Sequence, residues 1–589
     1  PYTLHAMCGI VAMVGERWAA GLDGALDAIA SRGPDDRGVW HEAPAHLGHR
    51  RLSILDPTPA GHQPMTSADG RFVITYNGEL YNHRQLRDAL QRDGARFATQ
   101  CDTEVWVEAI SHWGLPATLD QADGMFALAV WDRREGELLA ARDRFGIKTL
   151  YYSTIDGLIV TSTLTPYGQL DGFPRRLDPQ ALRDYLACQA ILAPRSILRE
   201  VRALEPGCWM RYAPGQGQPH IERYWDIARP TDEPMDYAEL VEATDAALAE
   251  SVRRQMIADV PLGAFLSGGI DSSLMVHYMA EAGGAPPRTF SVRFPQADRY
   301  DEGAIAGQVA DHFGTTHTAF DARDIAADDL LSAIDALDQP MADPAYLPTL
   351  ALSRLTRQHV TVAISGDGGD ELFGGYDRYL KPADTRRPAP GRRSLRALTS
   401  LNLLPKALAR RGLAGRDRLL WEHVEAGPFD RTRKDMAALL HEDLHAEARI
   451  GATLQRWRGL IDRYDPAGGT DALMRADLWT YLSDNCLVKT DRASMAHSLE
   501  VRVPMLGNPV ADLVLPQPAS VKLGDPPVPK RILADLARRH LPRAVYDRPK
   551  HGFSVPLRRY FTGDWREAGD RLIDQAGEVA PFLNRQRIA

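Results

Sequence analysis

The sequence predicts two domains of different class: a β-rich layered domain over residues 8–215, then an α/β domain over residues 238–589, built on a parallel sheet and largely helical beyond about residue 390. Three observations carry this. Short apolar runs separated by turn residues dominate the first stretch. Longer amphipathic helical patterns alternating with short apolar strands follow from about residue 238. Between them, residues 216–237 and the turn before them hold Pro214, Gly215, Gly217, Pro219, Pro230 and Pro234, the composition of a linker.

In the first domain, Phe72 to Tyr76 reads as a strand running into the turn dipeptide Asn77-Gly78. Met125 to Trp131, Leu138 to Ala141, Leu150 to Tyr152 and Leu158 to Thr161 read as further strands. Helical periodicity appears at Leu22 to Ser31, Arg84 to Gly94 and Glu104 to Trp113. In the second domain, Ala238 to Met256 and Ser273 to Ala282 read as helices, and Thr289 to Phe294 and Val360 to Ser365 as strands.

Composition excludes several classes. Over 589 residues, 44% hydrophobic and 25% charged is the balance of a soluble globular protein, with no apolar run of bilayer length. Met7 to Val14 is too short for a signal peptide and lacks a basic flank, so a cytoplasmic location is the default. A net charge of −9 argues against a broad nucleic-acid surface. The five cysteines, Cys8, Cys101, Cys188, Cys208 and Cys486, form no Cys-x-x-Cys pair, which argues against a disulfide framework or a cysteine zinc site.

Two loops carry chemistry. Leu262 to Leu266 reads as a buried strand entering Ser267-Gly268-Gly269-Ile270-Asp271-Ser272-Ser273 and then a helix. Glycines let backbone N–H groups approach an anion, and the helix N-terminus adds positive potential. No lysine follows the glycines, so this is not a Walker A loop. Asp271 would repel a phosphate unless a cation lay between them, which points to Mg²⁺. The loop resembles that of ATP pyrophosphatases; the bland alternative is a glycine-rich turn. Ser365-Gly366-Asp367-Gly368-Gly369-Asp370-Glu371 also follows an apolar strand, so both loops belong at one carboxyl edge, where open α/β sheets bind ligands. Its three carboxylates also call for a cation; the alternative is a solvated acidic turn.

Further segments extend these motifs: Cys8-Gly9-Ile10, Arg32-Gly33-Pro34-Asp35, Arg51-Leu52-Ser53-Ile54, Tyr76 to Asn82, Asp102-Thr103-Glu104, Gly124 to Ala127, Arg142 to Gly146, Lys489-Thr490-Asp491-Arg492 and Arg548 to Phe553. In order and spacing the chain resembles the glutamine-hydrolysing asparagine synthetases, over nearly its whole length. The resemblance implies an N-terminal-nucleophile glutaminase domain of αββα layers, followed by an ATP-pyrophosphatase-type synthetase domain, with an ammonia tunnel between them. It implies that Cys8 attacks the glutamine amide, that Arg51 holds the glutamine carboxylate, that Asn77 and Gly78 form the oxyanion hole, and that Glu79 and Asp102 bind the glutamine amine. In the second domain it implies that Leu266 and Val292 line an adenine pocket. Ser267, Gly268, Gly269, Asp271 and Ser272 would cradle ATP, and Ser365 and Gly366 would contact the nucleotide. Asp271 and Asp370 would carry Mg²⁺, and Lys489, with Lys550, would meet phosphate charge. Asp367 stands where many relatives carry a Glu that acts on the intermediate; the shorter side chain is a departure from them.

The resemblance points first to aspartate as the acceptor. Asp343 to Thr349 and Arg548 to Phe553 look more like a bacterial branch of which some members amidate sugar acids, peptides or other carboxylates. A β-lactam-forming relative is set aside because that group lacks the nucleophilic cysteine. Other readings are a glutaminase carrying an inert synthetase scaffold, and a non-catalytic binding protein. His441-Glu442-Asp443-Leu444-His445 matches the zincin pattern but lacks a third ligand, and is read as coincidence. His49 and His497 are read as structural. Dimers occur among relatives, so a homodimer is an open expectation. Asn584 onward reads as the start of a helix that a longer tail would continue.

In this family the cysteine is the first residue of the mature protein, so that its free α-amine, of ordinary pKa near ~8, acts as the base. Pro1 to Met7 precede Cys8 here, and read as a tag remnant or short propeptide with Met7 the natural initiator. With these residues attached the amine is an amide. Glutamine-driven turnover should then fall about 10²–10⁴-fold below that of protein beginning at Cys8, while ammonia-driven turnover holds. Steady-state rates with each nitrogen donor check this.

Overall fold

In the computed structural model the described residues are 8–293, 302–321, 331, 333–380, 439–444, 447, 450–464, 469–548, 565–575 and 582–583. The first domain contains β1 (Gly9–Val14), β2 (Asp36–Glu42), β3 (Ala45–Arg51), β4 (Met65–Thr66), β5 (Phe72–Leu80), β6 (Gly124–Asp132), β7 (Glu137–Arg142), β8 (Tyr151–Ser153), β9 (Leu158–Thr161), β10 (Arg202–Ala203), β11 (Cys208–Tyr212) and β12 (His220–Arg223). They form two six-stranded sheets, ordered β10-β8-β9-β1-β3-β2 and β12-β11-β7-β6-β5-β4.

Strand alternation builds the layers. Ile10, Ala12 and Val14 of β1 meet Ala127, Ala129 and Trp131 of β6 between the sheets. Val11 and Met13 face outward onto the helix Leu22–Asp27. On the far side Ile74, Tyr76, Phe126 and Leu128 pack under the helices His83–Arg92 and Asp102–Trp113. The result is the αββα sandwich. Asn77-Gly78, expected as a turn, lies inside β5: Asn77 faces Ala127 and Gly78 faces Phe126 of β6. Pairing along the whole of β6 overrides the local turn preference. Within the stretch read as connector, His220–Arg223 pairs with β11 as an edge strand.

The second domain contains β13 (Leu262–Phe265), β14 (Arg288–Arg293), β15 (Thr316–Asp321), β16 (Val362–Ile364) and β17 (Glu500–Arg502). They form a parallel sheet ordered β15-β14-β13-β16-β17. Helices cover both faces: Tyr237–Gln255, Ile270–Glu281 and Arg531–His540 on one, and Tyr346–Thr356 with Leu487–Met495 on the other. The region beyond residue 390, expected to be largely helical, also contributes the edge strand β17. Two of its three residues are charged, so it carries no apolar strand signal. Among the described residues no helix is long and apolar enough to cross a membrane.

Buried charges join the domains. Arg32 Nη1 and Nη2 reach the Asp491 carboxylate at 3.2 and 3.4 Å. Arg492 Nη1 donates to the same carboxylate at 2.6 Å, and Lys148 Nζ lies 3.9 Å away. Arg492 also pairs with Asp338 at 2.8 Å. Burial opposes ionisation of Asp491, but Arg32, Arg492 and Lys148 outweigh it and bring the carboxyl down to about 2. Asp491→Asn leaves Arg32 without its carboxylate in a dry interface, while Arg492 keeps Asp338. It should lower stability by about 3–5 kcal/mol, measured as a shift in denaturant midpoint at neutral pH.

Candidate active sites

Cys8 sits directly before β1, and its thiol lies against the residue that follows β3. The Leu52 N–H donates to Sγ at 3.3 Å, and Sγ contacts the Leu52 carbonyl at 3.6 Å. Arg32 Nε donates to the Cys8 carbonyl at 3.4 Å. Burial pushes the thiol up to about 12, against the lowering effect of the Leu52 N–H and Arg51. The thiol is therefore protonated at neutral pH, and attack requires a base. Among the described residues no carboxylate or imidazole bonds to Sγ.

Arg51 is buried and held in place by backbone carbonyls. It donates to Thr58 O at 3.0 Å, Leu55 O at 3.1 Å and Asp56 O at 2.7 Å. Its Nε–H and one Nη1 hydrogen are not used by these contacts. Asn77 is fully buried between the sheets, and neither Oδ1 nor Nδ2 has a hydrogen-bond partner. A buried amide without partners costs stability. Gly78 has φ +153°, and a Cβ there would lie 2.0 Å from the Met125 carbonyl. Glu79 pairs with Arg502 of the second domain at 3.4 Å. Burial, then Glu500, drives its carboxyl up. Asp102 Oδ2 accepts from Tyr76 OH and from Leu80 N–H, each at 3.0 Å.

The second site is a cavity of about 880 Å³ beyond the carboxyl ends of β13 and β16. These strands are neighbours at the point where the strand order reverses, the usual ligand position in such sheets. Leu266, Ser267, Gly269, Asp271, Ser272, Val292, Ser365, Gly366, Asp367, Asp370 and Lys489 all line it. Gly268 lies behind the lining, at φ +76°, with Ala306 N 3.0 Å from a Cβ placed there. Lys550 is outside the described residues, but nearby Arg548 donates to the Gly268 carbonyl at 3.1 Å. The first loop is tied by its own hydroxyls: Ser267 N–H reaches Ser272 Oγ at 3.2 Å, and Gly269 N–H reaches Ser267 Oγ at 3.3 Å. The two loops touch, since a Cβ on Gly369 would lie 2.9 Å from Asp271 Cγ.

Asp367 Oδ2 accepts from Ser365 Oγ at 2.8 Å and Thr490 Oγ1 at 3.0 Å. Burial disfavours the charge on Lys489, but Asp343 and Asp367 outweigh it and hold the ammonium above its ordinary value. Glu371 accepts from Tyr376 OH at 2.5 Å. Burial and Asp370 raise its carboxyl to about 7.

Sequence reading missed Lys530. It caps the helix Arg531–His540 with a left-handed backbone, φ +50°, and its Nζ pairs with Asp271 and, at 2.9 Å, with Asp370. The one sequence signal was a lysine between a proline-rich turn, Pro526 to Pro529, and a helix. Both carboxylates thus already converge on one cation. Two carboxylates completed by phosphate oxygens and water suit Mg²⁺. Among the described residues there is no cluster of three or more acidic, His or Cys groups that would cage a metal without the phosphates.

The glutamine amidotransferase domain model matches residues 7–225, and the asparagine synthase model matches residues 243–589. The chain belongs to the asparagine synthase family. A Mycobacterium tuberculosis protein named as a glutamine-hydrolysing asparagine synthetase is 36% identical over 96% of this chain and 89% of its own length. Glutamine-hydrolysing asparagine synthetase 1 of Bacillus subtilis is 31% identical over 93% of this chain and 86% of its own length. A Gibberella zeae protein named as an amidase is 32% identical over 61% of this chain and 55% of its own length. Like its family, this chain is a glutamine-dependent, amide-forming ligase, and family membership implies ATP as its energy source.

Lys530→Gln removes the cation that draws Asp271 and Asp370 together. In this asparagine synthase family member, ATP–pyrophosphate exchange should fall about 10²–10³-fold, with glutamine hydrolysis unchanged; radiolabel exchange and glutamate release measure the two.

Proposed function

We propose that the enzyme converts aspartate to asparagine through an acyl-adenylate, with ammonia released from glutamine at Cys8. A carboxylate resists ammonia because its leaving group would be oxide. Attack of the acceptor carboxylate on the α-phosphorus of ATP expels pyrophosphate and creates a leaving group. Ammonia then adds to the acyl carbon, loses a proton, and AMP departs.

The roles follow the contacts. Cys8 adds to the glutamine carbonyl, releasing ammonia and leaving a thioester that water hydrolyses. Arg51 orients the glutamine carboxylate, Glu79 and Asp102 the amine, and Asn77 with Gly78 the oxyanion. Leu266 and Val292 take the adenine, while Ser365 and Gly366 contact the nucleotide. Ser267, Gly268, Gly269 and Ser272 curl around the phosphates. Lys489 and Lys530 meet the departing pyrophosphate, with Lys550 a further candidate. Mg²⁺, held by Asp271 and Asp370, would neutralise phosphate charge. Asp367, held at Oδ2 by two hydroxyls, presents Oδ1 to accept the proton that ammonia loses.

The observation that carries this reading is that one helix, Leu487–Met495, serves both sites. Lys489 and Thr490 face the nucleotide cavity, while Asp491 bonds Arg32, which bonds the Cys8 carbonyl. Cys8 itself packs beside Leu52 against Val362 and Met495 of the second domain. This apolar contact beside Cys8 suits the release of neutral ammonia toward the second domain. The likeness to proteins named as amidases keeps a different acceptor carboxylate as a second reading.

ATP–pyrophosphate exchange across candidate carboxylates, aspartate first, should give a signal with aspartate. The full reaction should then yield AMP, pyrophosphate, glutamate and asparagine in equal amounts. Exchange with another acid only would reject the asparagine assignment and retain the chemistry. Silence with every acid would favour a glutaminase on an inert scaffold.

A further inference from the structure

Alternate residues on one edge of β5 meet different surroundings. In an antiparallel strand, the N–H and C=O of a residue point to one side, and those of the residue two further on point the same way. Ile74 lies opposite Met65 of β4. The pairing with β4 starts at Met65 and reaches no further along β5 than Ile74. Tyr76, two residues on, is therefore bonded by side chains instead: its N–H donates to Gln63 Oε1 at 2.7 Å, and its carbonyl accepts from His49 Nε2 at 3.0 Å. Gly78, two further on, lies opposite Phe126. Phe126 N–H donates to Asp143 Oδ2 at 3.2 Å, and its carbonyl accepts from Asp143 N–H at 2.8 Å. The N–H of Gly78 therefore faces away from β6, toward the open edge. Asn77 between them carries the unpartnered buried amide.

We propose that His49 and Gln63 are positioning residues for the oxyanion hole: by holding the Tyr76 peptide groups from both ends, they fix the direction of the Gly78 N–H and of the Asn77 amide. The inference rests on the reading of Asn77 and Gly78 as that hole. Both side chains are buried and internally fixed, since Gln63 Nε2 donates to Thr103 Oγ1 at 3.2 Å, and His49 must carry its proton on Nε2 to bond a carbonyl. Burial, reinforced by Arg51, keeps the His49 imidazole neutral down to about pH 3, so the donor does not change over the working range. His49 projects from β3 of the opposite sheet, next to Gly48, whose carbonyl accepts from Thr75 Oγ1 at 3.2 Å. The two polar contacts lock the sheets together beside Cys8, where the apolar filling ends.

The test uses full-length enzyme processed to begin at Cys8. His49→Ala and Gln63→Leu should each lower kcat for glutamine hydrolysis about 10–100-fold with KM for glutamine within about twofold. His49→Gln, which offers an amide N–H to the same carbonyl, should recover most of the loss. Ammonia-driven synthesis should be unchanged in all three, and the kcat–pH profile should keep its shape. A normal kcat in both His49→Ala and Gln63→Leu overturns the proposal, as does a rise in KM alone. Loss of one limb of the pH profile would overturn it by making His49 an acid or base. If His49→Ala also loses ammonia-driven synthesis, folding has failed there, and His49→Gln with Gln63→Leu decide. Asn77→Ala is the parallel control: a normal kcat in that variant removes the oxyanion reading itself, whereas a loss there beside normal His49 and Gln63 variants removes only the positioning role.

Discussion

The carboxylate of Asp491 is the point from which the two-site arrangement is built. It is buried among Arg32, Arg492 and Lys148, contributed by both domains. A buried ion cluster of this kind adds little net stability compared with an apolar packing, but it penalises every other docking, since any shift strands a charge in a dry interface. The Glu79–Arg502 pair repeats the device a short way off, and Arg502 is pinned in turn by the carbonyls of Gln255 and Ile257 at 2.7 and 2.6 Å. Register between the domains is therefore set by charge, and the distance between Cys8 and the nucleotide cavity with it.

That fixed register has a chemical consequence. The nitrogen to be transferred is useful only as neutral ammonia, and contact with water or a carboxylic acid protonates it. Cys8 packs on an apolar cluster formed by Leu52, Ile54, Val362 and Met495.

The fold was legible where side-chain alternation or a loop motif was strong, and obscure where partners came from afar. β6 and β9 matched their apolar runs to within a residue or two, because each buries nearly every position. Asn77-Gly78 carries the composition of a turn and lies in a strand, because β6 supplies pairing that no local rule anticipates. β17 was invisible because Glu500 and Arg502 are both buried through mutual pairing at 2.7 Å, and a buried ion pair looks like surface in a sequence. Lys530 was missed for the same reason: nothing in the chain before it indicates that its ammonium will lie between two acidic loops that come about 260 and 160 residues earlier. The motif residues of the second cavity were legible because each loop follows its strand directly, and the parallel order brings both strand ends to one edge.

The two sites solve opposite electrostatic problems, and their supporting groups differ accordingly. At the first site, negative charge appears only as the tetrahedral intermediate forms. Fixed dipoles suit this: neutral His49 and Gln63 direct peptide groups without adding a charge that would stabilise a resting thiolate. A cationic imidazole at His49 would sit against Arg51 in a buried setting, which is why burial and that arginine together keep it neutral. At the second site the anionic charge arrives fully formed with the triphosphate, and cations must already be in place. Asp343 and Asp367 keep Lys489 charged against burial, and Asp271 with Asp370 do the same for Lys530. The carboxylates thus hold the lysines ionised before the substrate enters. When phosphate oxygens take over as partners, the charges are already assembled and oriented, and little reorganisation remains for the reacting complex.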